Sequence, residues 1–309
     1  MLIPDLTFMK PVKLILFLLL FFTISVRVNS QFFFYNNNYY DKALMYEFGM
    51  GLGAMNCIVD VGGANSDAGY YVNELHLKNT RLCASAYAGI MYENFIGLRL
   101  MGTMGSVTAN DNMITSTASL NLITKNSRNL NFKSSITEVA LLAEFHPFMI
   151  RYYEGGPPLL SPYILAGVGY FGFRPQGKYK DLWIDLHPLH TEGQGFEEYP
   201  DVKPYKLDQV NVPLGLGLRY EVSDKLNLRF EFLHRVLFTD YLDDAHSRGY
   251  VNPTVFSKYL SPRDAAYARI FYNPSLKGEI PARRSNPNDQ DSYMSFSIKL
   301  GVILGRERR

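Results

Sequence analysis

The sequence predicts an all-β protein, an eight-stranded antiparallel transmembrane β-barrel with four long extracellular loops and short periplasmic turns. Three observations carry this. Eight segments alternate apolar and polar side chains with period two, the pattern of strands with two different faces. The connections between them alternate short and long, which sends every long loop to one end. The polar faces carry acids and bases in equal number, as a closed interior packed with side chains requires.

Residues 1–30 are set aside first. Lys10 and Lys13 precede an apolar run from Leu14 to Val26, and Val28 and Ser30 are small residues ahead of Gln31. That is the layout of a secretory signal peptide cleaved near Ser30. The run is short for the roughly 20 residues of a membrane-spanning helix. The removed segment carries Lys10, Lys13 and Arg27 against Asp5, so the remaining chain has equal numbers of basic and acidic side chains. Net neutrality gives no reason to expect nucleic-acid binding. Residues 31–42, with the Asn run of QFFFYNNNYY, read as a periplasmic N-terminal lead, and 43–309 as the barrel. The 22 Tyr and 21 Phe against a single Trp suit strands and membrane interfaces, where a tyrosine ring keeps one wet end.

The strands are expected at 44–55, 83–93, 95–107, 136–147, 162–173, 213–222, 225–236 and 292–304. The first carries Gly49, Gly51 and Gly53 on its mixed face, room for larger side chains opposite. The second and third are joined at Glu93-Asn94. The fourth and fifth are joined through GGPP, Gly155 to Pro158, and the fifth carries Gly167 and Gly169 on its mixed face. The sixth and seventh make a hairpin about Ser223-Asp224. In the sixth, Leu214, Leu216, Leu218, Tyr220 and Val222 share one face; in the last, Phe296, Ile298, Leu300, Val302 and Leu304 do. The opposite faces hold Glu47, Arg99, Glu138, Glu144, Arg219, Glu221, Arg229, Glu231, Arg235 and Lys299, the expected lumen charge network. Arg219 and Arg229 are expected beside Glu221 and Glu231 on adjacent strands.

The seventh strand runs into FTDYLDD, residues 238–244, at the start of the longest loop. Asp240, Asp243 and Asp244 read most simply as carboxylates reaching water where the membrane ends. They are also weak candidates for a metal ion, since hard cations take clustered carboxylate oxygens, but the spacing of a calcium-binding loop is absent. His187 and His190 lack a partner at zinc spacing. HTEGQG, 190–195, reads as a loop folded back on the barrel, with Gly193 and Gly195 supplying positive φ. His234, Asp240 and His246 fall near the outer rim, where a barrel enzyme would hold a triad, but no nucleophile motif accompanies them. No cofactor is expected. Cys57 and Cys83, the only cysteines, bracket the first long loop of an exported chain, so a disulfide is expected; two separate buried thiols are the alternative.

Four stretches together resemble the PorG family: YDKALMYEFGMGLGAMN (40–56), SPYILAGVGYFGFRP (161–175), LHTEGQG (189–195) and VPLGLGLRYEVSDKLNLRFEFLHRVLFTDYLDD (212–244). That family comprises outer-membrane components of the type IX secretion system of Bacteroidota. The order HTEGQG then FTDYLDD is its more specific part. The chain departs from the family pattern at AHSRGYVNP, where Asn252 takes the place of an Asp. The resemblance implies a structural and assembly role, not catalysis. It implies association with the periplasmic ring of PorK and PorN, in a machine that exports proteins to the cell surface and supports gliding in some relatives. Contact with the ring would use the inner side, where FMIRYYEGGPPLL offers Arg151, Tyr152, Tyr153, Leu159 and Leu160. Two other classes stay open: an outer-membrane barrel hydrolase or acyltransferase acting on lipid or peptide, and a passive structural barrel or adhesin.

Overall fold

A computed structural model describes residues 39–62, 77–111, 128–150, 158–223, 225–246, 249–274, 284–285 and 290–308. The expected signal peptide, most of the N-terminal lead, and Arg151, Tyr152 and Tyr153 lie outside the described residues. The strands are β1 (Tyr39–Ile58), β2 (Arg81–Tyr92), β3 (Ile96–Asn110), β4 (Asn131–Phe145), β5 (Leu160–Tyr179), β6 (Leu182–Asp185), β7 (Asp208–Glu221), β8 (Leu226–Leu237) and β9 (Ser292–Arg308). Among the described residues, two α-helices, α1 (Phe256–Tyr259) and α2 (Pro262–Tyr272), lie between β8 and β9.

Every strand pairing is antiparallel, in the order β4-β3-β2-β1-β9-β8-β7-β5, and β4 pairs with β5 to close the ring. Eight strands therefore form the barrel, and β6 is a short addition on the outer end of β5. The inner turn between β2 and β3 is tight. Glu93 and Asn94 both have positive φ, 45° and 63°, and Phe95 N donates to Tyr92 O. That is the two-residue turn whose twist matches the strands it joins.

The faces are inverted relative to a water-soluble sheet. Outside, Met50, Leu52, Val168, Leu216, Phe296 and Ile298 are all more than half exposed. Inside, Arg99, Arg235, Arg229 and Lys299 are buried. A closed sheet leaves no unpaired backbone edge in hydrocarbon, and only lipid makes such an exterior favourable. Tyr46, Tyr92 and Tyr220 stand exposed near the inner ends of their strands, an aromatic girdle at the periplasmic interface. Among the described residues no helix is long and apolar enough to cross a membrane; the strands do so. Glycine makes the narrow lumen possible: a Cβ on Gly49 would stand 2.5 Å from the Tyr87 ring.

The structure adds to the expected elements at both ends. β1 begins at Tyr39, inside the expected lead, and β4 at Asn131, five residues before 136. β5 runs for 20 residues, about twice the length a tilted strand needs to cross the hydrocarbon. Lipid imposes the apolar alternation, so the sequence signal fades where the strand enters water while the backbone ladder continues.

The described parts of the outer connections fold into a cap. Phe196, Phe256, Phe271, Leu186, Leu189 and Ala268 form its own apolar core. Beneath it Phe132, Phe171, Phe173, Tyr293, Leu242 and Met55 fill the outer mouth of the lumen. Helix α2 starts as its sequence dictates: Pro262 is its first residue, and Ser261 Oγ accepts from Asp264 N at 3.2 Å.

Candidate functional site

Two layers of buried polar side chains occupy the barrel axis, one in the lumen and one in the cap. In the lumen, Glu47 takes a two-pronged contact from Arg229, Nε to Oε1 at 2.7 Å and Nη2 to Oε2 at 2.6 Å. Glu144 accepts from Arg229 Nη1 at 2.9 Å and faces Arg99 Nε at 2.7 Å. Glu231 accepts from Arg99 Nη1 and from Tyr163 OH, each at 2.6 Å, and pairs with Lys299. The Tyr87 ring lies among three of these cations, 4.9 Å from Arg99, 5.8 Å from Arg229 and 5.7 Å from Lys299. Nearer the cap, Arg235 binds Glu138, and Asn211 Nδ2 donates to Glu138 at 2.9 Å. Fully desolvated charges persist when paired, and Glu47, Glu138, Glu144 and Glu231 each have a cation against them.

The partners differ from those expected on the β7–β8 hairpin. Arg219 lies directly opposite Arg229 in register, and Arg229 pairs with Glu47 and Glu144 rather than with Glu231. Arg229 reaches across the lumen instead, to β1 and β4. Acids two positions along one strand sit roughly 7 Å away, whereas the far wall of so narrow a barrel is within a guanidinium's reach. Arg219 is buried, and Glu221 is half-buried at the periplasmic mouth.

The lumen network continues to the inner turn. His146 Nε2 lies 3.3 Å from Glu144 Oε2, its Nδ1 lies 3.0 Å from Ser161 Oγ, and its ring stacks on Tyr163. Ser, His and Glu in a row resemble a hydrolase set. Ser161 and His146 are completely buried, however, and Glu144 already serves two arginines. Leu160 is about half exposed and Leu159 less so, both at the inner edge of β5.

In the cap, the loop acids are not solvated as the sequence suggested. Asp240 is 7%, Asp243 3% and Asp244 0% exposed. Each has its own partners. Asp244, in a left-handed conformation, accepts from Thr191 Oγ1 at 2.7 Å and Tyr205 OH at 2.6 Å. Asp243 accepts from the backbone amides of Val61 and Ala245 at 3.0 Å. Asp240 faces His246 Nδ1 at 2.9 Å. The acids fold inward because the segment after β8 turns back over the lumen mouth, burying Leu242 between them. The three carboxylates therefore point to separate partners. Among the described residues no three His, Cys, Asp or Glu side chains are grouped to hold a metal ion.

HTEGQG and FTDYLDD meet here. Beside the Thr191–Asp244 bond, Glu192 Oε1 accepts from His246 N at 3.1 Å and Arg284 Nε at 2.9 Å, and Arg284 Nη2 donates to Thr191 Oγ1. Gly193 and Gly195 have φ of 74° and 80°, as the loop reading anticipated. His187 and His190 have ring centroids 6.4 Å apart, and His187 Nε2 faces the Tyr205 carbonyl oxygen at 3.0 Å. A second cluster ties the first two outer loops together: Asp111 accepts from Arg128 Nε at 2.8 Å and from the amides of Gly62 and Leu130. Burial and the facing Asp60 carboxylate push Asp243 up to about 8. Burial also raises Asp244 to about 6. Asp291 is held well above the carboxylate range by burial, then by Asp243 and Asp240.

Asp60, Asp111, Arg128, Arg284 and Asp291 carry no signal in the sequence. Their partners lie up to 225 positions away, and no local pattern marks a lone loop charge as buried. The cysteines are a correction. Cys57 and Cys83 are both buried and unbonded. Cys83 pairs with Gly53, four residues along β1 from Cys57, a separation of roughly 13 Å against the ~7 Å limit for a bridge. Of the rim residues, His234 faces outward, away from the Asp240–His246 pair.

The model of a domain of unknown function, DUF6089, matches residues 26–252, well over half of the sequence. The chain belongs to that family. No curated protein matches it significantly. Among solved structures, Neisserial surface protein A is 9% identical at a TM-score of 0.36, covering 84% of this chain and 99% of that one. The outer membrane protein OprG of Pseudomonas aeruginosa is 10% identical at 0.33, covering 85% and 97%. Outer membrane protein W of E. coli is 14% identical at 0.30, covering 82% and 96%. The barrel assignment for this DUF6089 member rests on its own strand pairing and inverted faces, not on these likenesses.

Proposed function

We propose that this DUF6089 protein is a PorG-like structural component of the type IX secretion system, resident in the outer membrane and associated on its periplasmic side with the PorK–PorN ring. The observation that carries the reading is the junction of HTEGQG with FTDYLDD. The two stretches that make the resemblance most specific lie 43 positions apart, and they meet through the Thr191–Asp244 bond, with His246, two residues past FTDYLDD, donating its backbone N–H to Glu192. A sequence constrained to make that junction has reason to keep both strings. The lumen supports a structural role over transport, since buried ion pairs and the aromatic plug above them leave the axis filled.

The ring contact is assigned to the inner segment that includes Tyr152, Tyr153, Leu159 and Leu160. Tagged protein drawn from detergent-solubilised envelope should bring PorK and PorN with it. Replacing Tyr152, Tyr153 and Leu159 with Ala should release the ring and leave the barrel folded. Co-purification that survives this change but is lost on altering the outer loops would place the contact on the wrong side.

A further inference from the structure

The outer rim of β4, β5 and β6 differs from the rest of the barrel. The outward positions of β5 run Leu160, Ile164, Val168 and Tyr170, all exposed and apolar. The next outward positions are Gly172, Arg174, Gln176 and Lys178. Register sets Val139 beside Tyr170, Ser135 beside Arg174 and Lys133 beside Gln176. Strand β6 adds Asp185 beside Gln176 and Trp183 beside Lys178. The chemistry thus changes from lipid-facing to basic within a few residues, on one continuous face.

The height of this face matches a headgroup layer. Arg174 lies four residues beyond Tyr170, roughly 13 Å along the strand, or about 10 Å of height for a tilt near 40°. The polar layer on each side of the hydrocarbon is of the order of 5–8 Å thick, and long basic side chains reach down into it. Lys133 Nζ stands 5.8 Å from the Trp183 ring centroid, and Trp183 and Leu182 form a partly exposed apolar ledge beside it. Asp185 orients the site: it pairs with Arg174 and accepts from Gln176 Nε2 at 2.8 Å. Lys133, Arg174, Lys178 and Lys180 face two acids, Asp181 and Asp185, while Lys206 and Asp208 on the adjoining edge offset each other. On the opposite wall the corresponding outward positions of β8 and just beyond it are His234, Val236 and Phe238, with no Lys or Arg.

We propose that this face binds the phosphorylated headgroup of an outer-leaflet lipid, with Lys133, Arg174 and Lys178 donating to phosphate and Trp183 and Leu182 bedding the junction of headgroup and acyl chain. Charge complementarity selects an anion, because clustered Lys and Arg are the donors that phosphate takes. Continuity with the belt of Val139, Val168 and Tyr170 selects a lipid, whose tails have a place to lie. Tryptophan at the interface has the amphipathic ring such a junction favours.

Trp183 is the only tryptophan in the chain, so its fluorescence reports on this site alone. The protein is placed in phosphatidylcholine vesicles, in the same vesicles with bisphosphorylated lipid A, and in vesicles with dephosphorylated lipid A. The proposal expects a blue shift of Trp183 emission only with the phosphorylated lipid, and lipid A retained in native mass spectra. K133Q/R174Q/K178Q should lower that retention about tenfold or more, three phosphate-facing charges being lost. K178Q alone should lower it less, and unchanged heat-dependent gel migration will show that both variants fold. Equal shifts with dephosphorylated lipid A, undiminished retention by the triple variant, or the same shift with inorganic phosphate alone would overturn the proposal.

Discussion

Arg229 is the residue on which most of the lumen depends. It neutralises Glu47 and Glu144 at once, so Arg229→Leu leaves two buried carboxylates short of a cation. Breaking such a pair from one side costs about 3–5 kcal/mol. The urea midpoint of the detergent-refolded variant should fall accordingly, and an unchanged midpoint would deny that these groups face a dry lumen. The cap acids make a separate prediction. Asp243 and Asp244 have folded-state values raised above their unfolded ones. A raised carboxylate contributes stability that is complete below the unfolded value near 4 and is lost as pH rises through the folded value. The cap should therefore resist proteolysis best in mild acid and loosen as pH climbs through about 6 and then about 8. Asp243→Asn should remove the upper part of that dependence; a cap that tightens with rising pH would contradict it. In the sequence these acids read as solvated because a loop position carries no period from which burial can be inferred. The lumen residues were legible because Glu47, Arg99, Glu138, Arg229 and the others sit at alternate positions of apolar strands.

At the scale of elements, the strands were legible wherever lipid imposes alternation. Leu214 to Val222 and Phe296 to Leu304 could be assigned from period two alone. The extension of β5 to Tyr179, strand β6 and helix α2 could not, since their faces meet water or other loops. Register was the harder quantity. The expected disulfide matched the ends of a loop, whereas the ladder matches Cys83 to Gly53 and Cys57 to Tyr293. Both thiols should therefore react with an alkylating agent under non-reducing denaturation, and neither should react in the folded protein. A mass corresponding to a bridge would show that the β1–β2 register is wrong. The cap has its own test in Arg128, which binds Asp111 and the Asp60 carbonyl. Arg128→Ala should open the outer loops to protease by removing a buried partner worth about 3–5 kcal/mol, while the barrel keeps its heat-dependent migration.

At the largest scale the described residues form three stacked parts: a folded cap, a lumen filled by ion pairs, and an inner end where His146 and Ser161 join the lumen network. Under the proposed function such a body is an anchor that holds other components in place. The resemblance in sequence pointed to that role, whereas composition alone reached only as far as an exported, neutral, tyrosine-rich barrel. Single-channel recording of the purified protein in a planar lipid bilayer tests the claim most directly. A sealed barrel predicts no steady conductance at neutral pH for the unmodified chain. Stable ion-conducting steps from the unmodified chain would show an open axis and contradict the account.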